Sequence, residues 1–242
     1  MVAILSDTFS SFRPFRVLVM GDLMLDSYTT GKVRRISPEA PVPVMEVVKQ
    51  ESRPGGAGNA ALNFSVLGGM VTMLGRIGQD EPGRNLQKSL SAFGIDVQTL
   101  LVEENYSTPI KNRLIADSQQ LLRIDHEVLF PMQSATEELA IASLKSLLPH
   151  MHLVAISDYG KGFLSNRLLA ETIHLANALQ IPTIVDPKGK DFSKYRGATL
   201  IKPNLSEACA AAHLPLDAPL DEAAKRILDL TCAKMLLITR SE

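Results

Sequence analysis

The sequence predicts an α/β protein with a buried, mostly parallel central sheet and a small second sheet projecting from it. Three observations carry this. Short, almost wholly apolar runs each end in polar residues, helical stretches lie between several of them, and two proline-containing segments alternate partly between apolar and polar residues. Apolar runs without alternation suit strands covered on both faces, and strand alternating with helix gives parallel crossovers. Proline with alternation points to edge strands with one wet face.

The first apolar run is Val17-Leu18-Val19-Met20, before Gly21-Asp22. The projecting sheet is expected from Pro41–Lys49 and Thr108–Ile115, with Gln119–Asp125 following an Asp117-Ser118 turn; its strands fall near 32–50 and 98–126. Helices are expected over Glu137–Leu148, Ser165–Leu179 and Asp221–Leu230, with Ser165 as an N-cap. Between and after them come Leu153–Ile156 before Ser157-Asp158, Thr183–Val185 before Asp186, and Thr199–Ile201 before Lys202-Pro203-Asn204. Met235–Ile238 before Thr239-Arg240 closes the series. Asp22, Asp158, Asp186 and Asn204 thus leave the carboxyl ends of buried strands, where open α/β sheets bind ligands. Turn-forming Asp and Asn account equally for any one of these positions.

Composition narrows the function classes. Of 242 residues, 45% are apolar and 21% charged, a globular balance rather than a disordered one. With 25 basic and 26 acidic residues the net charge is -1, so no long-range field draws the chain to nucleic acid or an anionic membrane. No apolar run approaches the ~18 residues of a membrane span. Met1–Asp7 lacks the basic start and apolar length of a signal peptide, which makes a cytoplasmic protein with two unpaired core thiols, Cys209 and Cys232, the expectation.

The densest motif is Arg53-Pro54-Gly55-Gly56-Ala57-Gly58-Asn59-Ala60-Ala61-Leu62-Asn63. Its glycines permit close backbone approach to a ligand, its alanines open a helix that Gly68-Gly69 would end, and Asn59 both donates and accepts, which suits sugar hydroxyls. Gly56–Ala61 also fits G-x-G-x-x-A with Asp80 further on, a dinucleotide pattern; the segment before it, Lys49–Pro54, is not the buried strand such a fingerprint follows. P-loop, G-x-S-x-G and H-E-x-x-H patterns are absent. His150 and His152 read as solvated loop residues. Asp158–Gly162 and Asp186–Gly189 each combine a carboxylate with a lysine, suited to a sugar hydroxyl or hydrated Mg²⁺ and to a phosphate, or else to plain surface ion pairs. Asn204-Leu205-Ser206-Glu207 reads as a capping box or as a helix start with a Mg²⁺-water ligand.

Together Gly21–Asp26, Arg35–Val44, Arg53–Ala57, Gln119–Arg123, Ser157–Gly162, Asp186–Gly189, Asn204–Glu207, Tyr195–Leu200 and Thr239–Glu242 resemble the ribokinase-like (PfkB) sugar kinases, most narrowly the D-glycero-β-D-manno-heptose 7-phosphate kinases. The resemblance implies a three-layer α/β/α fold with a β-sheet lid, dimerisation through that lid, and ATP- and Mg²⁺-dependent phosphorylation of C1 on the heptose phosphate, toward ADP-heptose and the lipopolysaccharide core. It also implies frequent fusion to an adenylyltransferase domain. Residue by residue, it assigns Asp26, Gly55, Gly56, Asn59, Asp158 and Lys161 to the sugar and Lys111 and Arg113 to its 7-phosphate. Asp186, Lys188, Asn204, Leu205, Ser206 and Glu207 are assigned to ATP and Mg²⁺, Glu207 through water.

One departure accompanies the match. The family's catalytic Asp belongs to a Gly-Ala-Gly-Asp motif that these 242 residues do not contain. The expectation is therefore one C-terminally incomplete kinase domain over 1–242, sugar-binding and inactive because a positioned base contributes about 10²–10⁴-fold. A non-catalytic sugar-phosphate-binding module, another PfkB-family sugar kinase and an NAD-dependent oxidoreductase are the alternatives.

Overall fold

Strand β1 (Phe15–Gly21) shows why the central sheet is buried. Its side chains alternate between two separate apolar clusters: Val17 and Val19 enter one, Leu18 and Met20 the other, all fully buried. Each such side chain removed from water stabilises the fold by roughly 1.5–3 kcal/mol. The computed structural model describes residues 13–240; Met1–Asp7 and the last two residues of the Thr239–Glu242 match lie outside it.

The other central strands are β4 (Gly69–Gly78), β5 (Leu100–Glu103), β8 (Leu153–Ser157), β9 (Thr183–Asp186), β10 (Leu200–Ile201) and β11 (Met235–Leu236). Seven parallel strands run in the order β11-β10-β9-β8-β1-β4-β5. Helices α1 (Ala57–Val66) and α2 (Glu81–Ala92) cover one face. Helices α3 (Ser134–Leu147), α4 (Asn166–Ala178), α5 (Leu205–Ala211) and α6 (Leu220–Thr231) cover the other, giving the three layers expected. Ser165 caps α4 by accepting the Leu168 N–H. No helix among the described residues is long and apolar enough to cross a membrane.

A second sheet, β3-β2-β6-β7, consists of β2 (Leu23–Ile36), β3 (Pro43–Gly56), β6 (Ile110–Ala116) and β7 (Gln119–His126). It springs directly from the carboxyl end of β1. β2 pairs antiparallel with β3 and parallel with β6, which pairs antiparallel with β7. Proline sits where sheets tolerate it, as the first residue of β3 (Pro43), within β3 as an edge strand (Pro54) and just before β6 (Pro109).

Several expectations need correction. The lid starts earlier than 32 on its first side and later than 98 on its second, because 100–103 is β5 of the central sheet. β6 is an interior lid strand, not an edge. β4 and α2 belong among the main elements: the β4 run is interrupted by glycines and by Arg76, whose charge is buried and met by Glu103 at 2.8 Å. The last strand shortens to Met235–Leu236, with Leu237 exposed. Cys209 is a buried thiol as expected, but Cys232 is exposed at the left-handed C-cap of α6.

Candidate functional site

The site begins where β1 and β8 lie side by side while the chain order reverses between β8 and β4, the kind of crevice in which α/β folds hold ligands. Asp22 follows β1 and is almost wholly buried. Its carboxylate accepts the backbone N–H groups of Tyr159 (2.9 Å), Lys161 (3.0 Å) and Phe163 (3.2 Å), so it shapes the loop after β8. Burial pushes its carboxyl above the usual range, the Lys161 and Tyr159 amides pull it back, and the nearby Asp158 charge raises it further. The Asp22 carbonyl accepts the Ala57 N–H at 3.0 Å, tying the same point to the start of α1.

The glycine motif closes against this frame. Gly56 caps α1 with φ 57°, and a Cβ there would collide with the Asp22 carbonyl. A Cβ on Gly55 would collide with the Asp26 carboxylate. Asn59, exposed on the first turn of α1, lines a recess of about 310 Å³ with Gly56, Tyr159, Asp186 and Lys202. Asp80 N-caps α2 through Gly83 and also accepts the Thr108 N–H and hydroxyl. Those engagements, and the lid strand β3 preceding the glycines, leave the dinucleotide pattern without its context.

One face of the lid is charged. Cross-strand register places Arg53, Asp26, Lys111 and Asp125 in one row, with Tyr28, Arg113 and Arg123 in the next. Arg113 donates to Asp26 at 2.6 Å and lies 5.4 Å from the Tyr28 ring centre. That bond raises the Arg113 pKa further. Lys111 pairs with Asp125 at 3.3 Å and approaches Glu127 at 4.0 Å. The two expected phosphate contacts are therefore together, each held by a carboxylate.

A second cleft, about 260 Å³, adjoins the recess through shared Tyr159, Asp186 and Lys202. Its other walls include Asp158, Lys188, Asn204, Glu207 and Thr239. The Asn204 side chain accepts the Glu207 N–H at 2.8 Å and Glu207 accepts the Asn204 N–H at 3.1 Å, a complete capping box. Leu205 anchors its N–H on the Thr239 carbonyl, while Ser206 is exposed on the same turn.

Neither lysine-bearing loop pairs within itself. Asp158 bonds the Gly160 N–H, the Lys194 ammonium and the Tyr195 hydroxyl, each at 2.7 Å, so its carboxylate is committed. Lys161 reaches Glu127 at 2.7 Å, Asp186 takes Lys202 at 2.9 Å, and Lys188 takes Glu207 at 3.0 Å. Lys194, Tyr195 and Lys202 are site residues that sequence reasoning missed. The only signal for Tyr195 was its place in the Tyr195–Leu200 match; Lys194 lies one residue before that match and carried no signal. The Tyr159 hydroxyl is pushed above its usual value by burial and then by the charges of Asp186, Asp26 and Glu207.

Comparison with known proteins agrees with this fold. A profile described as "pfkB family carbohydrate kinase" matches residues 15–242. The bifunctional protein HldE of Geobacter metallireducens is 43% identical over 236 residues, covering 97% of this chain and 48% of the relative. That of Trichlorobacter lovleyi is 44% identical over 229 residues, 94% and 47% respectively. The chain thus spans about half the length of the curated relatives it matches. Among solved structures, Escherichia coli phosphofructokinase-2 in complex with fructose-6-phosphate superposes with a TM-score of 0.72 at 19% identity, over 95% of this chain and 75% of that one. Arabidopsis thaliana ribokinase complexed with ribose and ATP gives 0.65 at 14%, over 94% and 72%.

Proposed function

Because the chain belongs to the pfkB carbohydrate kinase family, a family of sugar kinases, we propose that it binds D-glycero-β-D-manno-heptose 7-phosphate for phosphorylation at C1, on the route to ADP-heptose and lipopolysaccharide core. The observation that carries this reading is the Asp26–Arg113 pair beside Gly55 and Gly56, a carboxylate and a guanidinium facing one space at the lid's base. Asp26 and Asn59 take sugar hydroxyls, and Lys111 and Arg113 take the terminal phosphate by exchanging their carboxylate partners for it. Asp158 acts by holding the loop rather than by touching the sugar, since its buried carboxylate already takes three donors, while Lys161 can exchange Glu127 for the substrate as Lys111 exchanges its own carboxylate.

The second cleft suits a polyphosphate. Lys188 and Lys202 stay partly exposed on its rim, and its walls are mostly polar. Lys188, Lys202 and Asn204 would hold ATP phosphates, with Asp186, Leu205 and Ser206 shaping the rim. Glu207 would hold Mg²⁺ through a water, using the lone pairs its two bonds leave free. When bound, ATP supplies the phosphoryl group and Mg²⁺ neutralises its charge; this chain's residues orient the sugar hydroxyl toward it. The lid's exposed apolar residues, among them Val47, Val48 and Leu122, support dimerisation through that sheet. We place the protein in the cytoplasm, where ATP and the sugar phosphate meet.

In this reading the site's carboxylates bind and position, none of them is assigned as the general base, and the 242 residues contain no Gly-Ala-Gly-Asp. Label transfer from γ-labelled ATP to the heptose phosphate tests the reading. This polypeptide should run about 10²–10⁴-fold below the Geobacter metallireducens relative while still binding the sugar. An equal rate would overturn the inactivity, and absence of sugar binding would overturn the substrate.

A further inference from the structure

We propose that the Tyr195 hydroxyl is a positioning group that fastens the loop after β8 to the loop after β9, so that the sugar side and the phosphate side of the site move as one unit. The inference rests on the kinase reading above. Tyr195 is fully buried at the end of a single 3₁₀ turn, Ser193–Tyr195. Its hydroxyl donates to Asp158 at 2.7 Å and accepts the Lys188 backbone N–H at 3.0 Å. Burial, and then the Asp158 charge, hold its pKa far above the usual phenol value, so it remains a donor throughout the working pH range.

The geometry around that hydroxyl gives it a role the strands do not fill. β8 and β9 are joined by their ladder as far as the Asp158 N–H on the Asp186 carbonyl. Beyond that point, no hydrogen bond among the described residues joins 159–162 directly to 187–190. Asp22 holds the 159–163 backbone through the Tyr159, Lys161 and Phe163 N–H groups but does not reach 187–190. The neighbouring Lys194 ammonium bonds the same Asp158 oxygen but does not reach Lys188. From Lys188 the line continues through its ammonium to Glu207 and the capping box with Asn204.

Hydrogen exchange of the full 242-residue chain tests this with Tyr195→Phe, which keeps the ring and its edge-on contact with Phe192. Exchange in 158–162 and 186–190 should rise together, about fivefold or more, with β1 and β4 unchanged. Lys194→Met should loosen 158–162 alone. A rise in one loop only with Tyr195→Phe, a uniform rise across the chain, or no change would overturn the proposal. MgATP should protect both loops in the wild type and only 186–190 in Tyr195→Phe; protection of both in the variant would also overturn it. If MgATP leaves 186–190 of the wild type unprotected, the phosphate-side reading has failed, and the ligand-free exchange still decides the fastening. Should Tyr195→Phe not fold, the wild-type Lys188 amide decides: slow exchange, as in β9, supports the hydroxyl bond, and free-loop exchange overturns it.

Discussion

The central sheet and the lid are both four or more strands of one chain, yet they use their side chains in opposite ways. In β1, Val17 through Met20 are withdrawn from water on both faces. In β7, every residue from Gln119 to His126 except Ile124 is exposed. Burial gives the first sheet its stability at roughly 1.5–3 kcal/mol per large side chain. The lid's Asp26–Arg113 and Lys111–Asp125 pairs stay partly open to water, which screens such a pair toward the ~1 kcal/mol of a surface salt bridge. The lesson is a division of labour: the core holds position, and the lid, in the function proposed, keeps charges for a ligand to rearrange.

The sharpest way to break that comparison is to treat an ion pair from each sheet identically. Arg76 and Glu103 are 1% and 6% exposed. Arg76→Ala should destabilise by about 3–5 kcal/mol in urea unfolding, because it leaves a buried carboxylate without its countercharge. Arg113→Ala, removing a pair about a quarter exposed, should cost under ~1 kcal/mol while abolishing sugar-phosphate binding. Equal losses of stability would erase the distinction.

A smaller effect sharpens the boundary between the sheets, where Asp22 sits. Burial raises its carboxyl above the ordinary 3.8. The folded chain therefore holds that proton more tightly than the unfolded chain does. Its contribution is fully present below pH 3.8 and fades as pH rises through the raised folded value. Unfolding curves of wild type and Asp22→Asn, compared from acid to neutral pH, should show the wild-type advantage shrinking upward. An advantage that grows with pH would mean the three amide bonds outweigh burial.

The same contrast explains what the sequence made legible. β1, β8 and β9 stood out because strands buried on both faces have no polar interruption. β4 did not, because Arg76 and three glycines break its apolar run, and β2 did not, because Asp26, Ser27 and Tyr28 belong to a wet sheet. The Asn204–Glu207 cap was readable, its partners being three residues apart. Asp158 with Lys194 was not: partners 36 residues apart meet only once β8, β9 and the Ser193–Tyr195 turn are packed. The Asp158–Lys161 and Asp186–Lys188 neighbours in sequence looked paired and are not.

Titration calorimetry with D-glycero-β-D-manno-heptose 7-phosphate on wild type, Asp26→Asn and Arg113→Ala addresses the shared cavity itself. One-to-one binding that disappears in both variants, with their unfolding curves overlying the wild type to within ~1 kcal/mol, is the outcome expected from a lid face and a sheet edge closing on one ligand. Undiminished binding in both variants, or none in the wild type, would contradict it.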